Sequence, residues 1–172
     1  MSVLDLPTVK AYLGKVQNVD DAALPLFIEA AEAAIVNVCG PLVSTATTSV
    51  VEGSGQDMLT VPVLPIISVT SLTGESGTTV TPERVSGRAG VIYAESALSE
   101  DYYTVVYNAG WAADAASLPG DLKLAVCELV RHLWMTQRGT AQRGPDSVPG
   151  AAYAFPNRVT QLLSPYMSPG FA

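Results

Sequence analysis

The sequence predicts an α+β fold that is mainly helical: a small helix bundle carrying an inserted, mostly antiparallel β region and ending in an extended C-terminal arm. Three observations predict it. Apolar residues recur at helical spacing near both ends, with Leu24, Phe27, Ile28, Ala31, Ile35 and Val38 in the first stretch and Leu122, Val126, Leu129, Val130, Leu133 and Trp134 in the second. Between them, from about residue 44 to 110, Val, Thr, Ile and Tyr accumulate and glycines interrupt them, as in short strands joined by turns. After Arg138 the chain turns polar and rich in Gly and Pro.

In chain order, residues 8–13 form a short helix. A longer one over about 21–39 takes its caps from Asp20 and Asp21 and its stop from Gly40-Pro41, with Pro25 tolerated only in its first turn. Glu29 and Glu32 lie off its apolar stripe. Candidate strands cover Ser49 to Glu52, Met58 to Val61, Ile66 to Leu72, Gly90 to Tyr93 and Tyr102 to Tyr107, while loops dominate Gly74 to Arg88. Pro62 and Pro65 bracket an edge or a bend. The third helix, about 120–138, opens at Leu118-Pro119-Gly120-Asp121 and ends near Gly139. Residues 1–139 are therefore expected to be one globular domain, with 140–172 as an arm in which Pro156 starts a short helix through Leu163 and Pro165 ends it.

Composition excludes several function classes. The 172 residues hold 9 Lys and Arg against 16 Asp and Glu, a net charge of −7, so the clustered cations that grip phosphate are missing. A chain this long and 48% hydrophobic buries a core without disulfides or metals. Cys39 and Cys127 form no C-x-x-C pair and read as buried thiols of a protein made in a reducing cytoplasm. No apolar run reaches the ~18 residues that a membrane span requires.

Catalytic chemistry needs a constellation, and none is legible. The one histidine, His132, follows Glu128 by one helical turn, a spacing typical of surface contacts, and with no second His or paired thiols it builds no zinc site. No phosphate-binding loop, complete dinucleotide fingerprint or nucleophile elbow occurs. The acid pairs Asp20/Asp21 and Glu100/Asp101 read as caps and turns, although the second leaves open a small hydrolase. Alternation puts Tyr103 and Tyr107 on one strand face and Tyr102 on the other, which favours core packing; a sugar- or peptide-binding groove near Trp111 and Tyr103 is the alternative. No catalytic, cofactor-binding or metal-binding residue is assigned.

The order of segments is more informative than any site. The run Leu59-Thr60-Val61-Pro62-Val63-Leu64-Pro65-Ile66-Ile67-Ser68-Val69-Thr70-Ser71-Leu72 is followed by Tyr103-Thr104-Val105-Val106-Tyr107-Asn108-Ala109-Gly110-Trp111. Then come Leu118-Pro119-Gly120-Asp121-Leu122-Lys123-Leu124-Ala125, Trp134 and Arg138-Gly139. With the opening helix pair and Tyr153-Ala154-Phe155-Pro156-Asn157-Arg158-Val159, this order resembles the head-tail connector (adaptor) family of tailed bacteriophages over nearly the whole chain. The resemblance implies a virion structural protein without a reaction, assembled beneath the portal vertex in the head-tail neck as a ring, commonly of twelve subunits. Such a ring continues the DNA channel, lets DNA pass without specific binding, and offers a platform to a stopper or tail-completion protein.

Charge and apolarity then single out the C-terminal third. Residues 1–117 carry a net −9 and residues 118–172 a net +2, so Arg131, Arg138, Arg143 and Arg158 are expected to face an acidic neighbour, either the portal or the adjacent subunit. The segment from Ala151 to Tyr166 holds too much apolar surface for a dangling end and must dock on its own core or on a partner. In the family that part contacts the portal, so docking on a partner is the expected use. Arg138, Arg143, Tyr153, Phe155, Pro156, Arg158, Leu162 and Tyr166 are accordingly the contact candidates, and truncation after Gly150 separates the two uses: a folded core that no longer attaches, or a core that fails to fold.

Overall fold

The computed structural model describes residues 2–14, 21–138 and 155–167. It contains α1 (Leu6–Leu13), α2 (Leu24–Cys39), β1 (Thr45–Glu52), β2 (Met58–Thr60), β3 (Ile66–Gly74), β4 (Pro82–Ser86), β5 (Val91–Ala94), β6 (Tyr102–Ala109), α3 (Gly120–Arg138) and α4 (Asn157–Leu163). These group into two compact units: Met1–Cys39 with Pro119–Ala172, which is helical, and Gly40–Leu118, which is β. The expectation of a mainly helical fold is thereby corrected. The fold is mixed, 34% helix and 28% strand among the described residues, with two antiparallel sheets. The expected strands are present, but β1 begins four residues before Ser49, β3 and β6 each run two residues beyond their expected ends, and β4 lies in a stretch expected to be loop.

The helical unit follows its apolar stripes. Asp5 caps α1 by accepting the Thr8 N–H at 3.0 Å, and hydrogen bonds from Thr8 hold its carboxyl below the usual carboxylate range. Gly14 ends the helix at φ 65°. Asp21, expected as a cap of α2, pairs instead with Lys10 Nζ at 2.6 Å, and α2 begins at Leu24 with Pro25 in its first turn. Leu24, Ile28, Ala31 and Ile35 are buried on α2, as are Leu122, Val126, Val130 and Trp134 on α3. Phe27 meets Trp134 edge-on, ring centroids 5.3 Å apart.

In the β unit, β6 is the central strand of the sheet β1-β6-β3, and β5 is central in β2-β5-β4. All pairings within both sheets are antiparallel. The core takes Leu59, Ile66, Leu72, Ile92, Val105 and Tyr107 from the two sheets together. As alternation predicts, Tyr103 and Tyr107 point inward, at 5% and 0% exposure, while Tyr102 is 54% exposed. The buried phenol of Tyr107 keeps its hydrogen bonds, accepting the Val63 N–H at 3.2 Å and sharing one with the Ser49 hydroxyl at 3.2 Å.

The chain comes into and leaves this unit through adjacent segments. Val43 and Ala112 form a parallel bridge, and the Ser44, Trp111 and Ala112 N–H groups bond the carbonyls of Ala112, Pro41 and Leu42 respectively. Gly110, at φ 154°, makes the approach possible, because a Cβ there would lie 2.6 Å from the Val43 main chain.

Candidate functional site

The segment singled out by charge and apolarity is a helix docked on its own chain. Val159 and Leu163 of α4, at 0% and 1% exposure, are spaced to share one helix face, and α4 packs on α3. The sequence favours a partner over the chain's own core for this segment, whereas the described residues show α4 docked on α3 of its own chain. Phe155, Pro156 and Leu162 are half-buried, whereas Asn157, Arg158, Thr160 and Gln161 are exposed.

Two polar ties hold the arrangement. Arg158 Nε lies 3.0 Å from Glu128 Oε1 on α3, in a pair whose carboxylate is 11% exposed and whose guanidinium side is 65% exposed. Tyr12 of α1 hydrogen-bonds the same carboxylate; burial first, then Glu128, raise its phenol pKa. Glu128 thus joins α1, α3 and α4 instead of forming the expected surface contact with His132. The His132 Nε2 is buried without a hydrogen-bond partner among the described residues. Further along, the Tyr166 hydroxyl contacts both oxygens of Asp121, at 2.7 and 2.6 Å, pinning the end of the segment to the start of α3. Neither tie was legible in the sequence, since partners such as Tyr166 and Asp121 lie 45 residues apart.

Among the remaining candidates, Arg138 ends α3 with its side chain outside the described residues, and Arg143 and Tyr153 also fall outside them. The groove reading near Trp111 and Tyr103 loses one wall, because Tyr103 lies in the core with its hydroxyl 3.0 Å from that of Ser99. Trp111 lies under the Arg88 guanidinium, 5.3 Å from the ring centroid. Asp101 accepts its neighbour's N–H, from Tyr102 at 2.8 Å, as a turn carboxylate does. Burial raises both thiol pKa values, that of Cys39 to about 11, which suppresses thiolate chemistry at neutral pH. The described residues contain no group of three or more His, Cys, Asp or Glu able to hold a metal.

The sequence model of one family, described as head completion protein, matches residues 2–167. The chain belongs to the head completion protein family. This agrees with the connector resemblance read from segment order and makes the protein a structural component of a phage-like particle. No curated protein sequence matches it. Three solved structures share the fold of this family member. A chain from "Neck of empty GTA particle computed with C6 symmetry" superposes with a TM-score of 0.70 at 24% identity, covering 96% of this chain and 90% of that one. A chain from "Virion of native gene transfer agent (GTA) particle" gives 0.69 at 24% identity, with 96% and 90% covered. A chain from "Neck of native GTA particle computed with C12 symmetry" gives 0.68 at 23% identity, with 96% and 89% covered.

Proposed function

We propose that this head completion protein works in the head-tail neck as a ring of about twelve subunits, in keeping with cyclic symmetry. The ring continues the DNA channel between the portal and a stopper or tail-completion protein. The observation that carries the reading is the family match over residues 2–167, joined to a shared fold with chains of a particle neck computed with C6 and C12 symmetry. The acidic balance fits a surface past which a polyanion slides without being gripped. Portal or neighbouring-subunit contact is assigned to the C-terminal candidates Arg138, Arg143, Tyr153, Phe155, Pro156, Arg158, Leu162 and Tyr166. Of these, Arg158 also serves its own fold through Glu128.

Negative-stain electron microscopy of the purified protein, alone and mixed with a portal ring, tests the proposal. Rings with a central hole wide enough for duplex DNA are expected in at least one sample. Within the same mixture, the Arg143→Glu variant should attach less. Scattered monomers in both samples would remove the ring reading.

A further inference from the structure

β1 is an unprotected sheet edge. It runs eight residues, pairs with β6 on one side and, among the described residues, has no strand on the other. Among the described residues its main chain bonds nothing beyond that ladder, except that the Thr47 hydroxyl donates to the Thr45 carbonyl at 3.3 Å. A row of vacant N–H and C=O groups is a template for one more strand.

The other edges of the unit are closed or guarded. β2 has three residues, and β4 carries Pro82, Glu83 and Arg84 with a register shift at its start. β3 is covered where the Val80 N–H bonds the Leu72 carbonyl, the Gly74 N–H bonds the Thr78 carbonyl and the Ile66 N–H bonds the Gly87 carbonyl, each at 2.8 or 2.9 Å. β1 has none of these devices. Its exposed side chains Thr45, Ala46, Thr48 and Val50 are small or β-branched and uncharged, and Glu52 alone closes it with a charge.

We infer that the open edge of β1 is a strand-addition site for an extended segment of another neck protein, one that places a basic end beside Glu52. Main-chain hydrogen bonds would supply the affinity and the flanking charges the choice of partner. Glu52 is the strand's one charged residue and stands at its C-terminal end. The two cations of residues 40–118, Arg84 and Arg88, lie over the rings of Tyr93 and Trp111. A second copy offering its own β1 would pair about a twofold axis, which a cyclic ring does not contain as a contact between its neighbours. The choice of another neck protein as occupant rests on the ring reading above; the open edge itself does not.

Hydrogen exchange followed by NMR on the intact protein tests the site. The probe is a synthetic peptide, Lys-Lys-Thr-Val-Thr-Val-Thr, whose antiparallel addition sets its basic end at Glu52; a twin with Glu-Glu in place of Lys-Lys is the control. The edge amides of Thr45–Glu52 should exchange about tenfold more slowly with the basic peptide at millimolar concentration. The acidic twin should protect about threefold less, and Glu52→Lys should abolish that preference. Unchanged exchange with both peptides overturns the inference, as does edge protection already present through concentration-dependent self-association. Rings by microscopy without peptide protection overturn it while leaving the ring reading intact. Protection without rings overturns the neck protein as the occupant.

Discussion

Glu32 stands on α2 among apolar neighbours, and only 9% of it is exposed. Periodicity places it off the stripe, but the structure turns it inward. Its Oε1 accepts the Ser2 hydroxyl at 2.8 Å and the N–H groups of Val3 and Leu4 at 2.8 and 3.1 Å. Three donors ahead of α1 converge on one carboxylate oxygen, two of them main-chain N–H groups, so the cost of burying the charge is offset where it arises. Glu32→Ala should lower unfolding stability in urea by about 2–3 kcal/mol, since it takes the acceptor from the Val3 and Leu4 N–H groups, whereas the Ser2 hydroxyl keeps the Leu4 carbonyl at 2.8 Å. Glu32→Gln keeps an acceptor and should lose only about 1 kcal/mol. Equal losses in the two variants would show that the side chain acts through packing alone. No sequence signal marks this residue, because two of its partners are main-chain groups 28 and 29 positions away.

Among the elements, legibility follows burial. The long helices α2 and α3 could be read because a buried face repeats every 3.6 residues, and β6 because its residues alternate between inside and outside. β4 could not: it starts with a proline and exposes Glu83, Arg84 and Val85, so nothing in Pro82–Ser86 repeats at any period. The first half of β1, Thr45 to Thr48, was hidden for a related reason, being mostly exposed threonine and alanine. For α4 the two prolines, Pro156 and Pro165, mark the bounds of the helix, but its apolar surface alone does not say what it covers, and the expected partner is replaced by α3 of its own chain. With Val159 and Leu163 buried, Leu163→Ala should cost about 3 kcal/mol. Truncation after Gly150 should lower the thermal midpoint of the helical unit, read by the loss of helical circular dichroism. An unchanged midpoint after truncation would mean that α4 contributes only to attachment.

For the whole molecule, the insertion of the β unit has a physical consequence. The chain reaches and leaves residues 40–118 through the Val43–Ala112 bridge, and the unit carries its own core of Leu59, Leu72, Ile92 and Tyr107. Segments whose ends lie side by side and whose core is their own are those that fold when excised. A fragment of residues 40–118 should give a dispersed amide NMR spectrum and a cooperative thermal transition; a random-coil spectrum would mean that the unit depends on the rest of the chain. Charge differs between the units as well. Residues 40–118 carry eight acids and two bases, a net −6, whereas the remaining residues together carry −1, so raising ionic strength relieves self-repulsion mainly in the β unit.

The two tryptophans divide along the same line. Trp134 sits in the helical unit, 3% exposed and edge-on to Phe27, and Trp111 sits in the β unit beneath the guanidinium of Arg88. Each unit thus carries its own intrinsic fluorophore, one enclosed by hydrocarbon and the other beside a cation. With Trp111 replaced by Phe, emission follows the helices alone; with Trp134 replaced, it follows the sheets. The protein is already labelled, in two places, for optical observation of its own assembly.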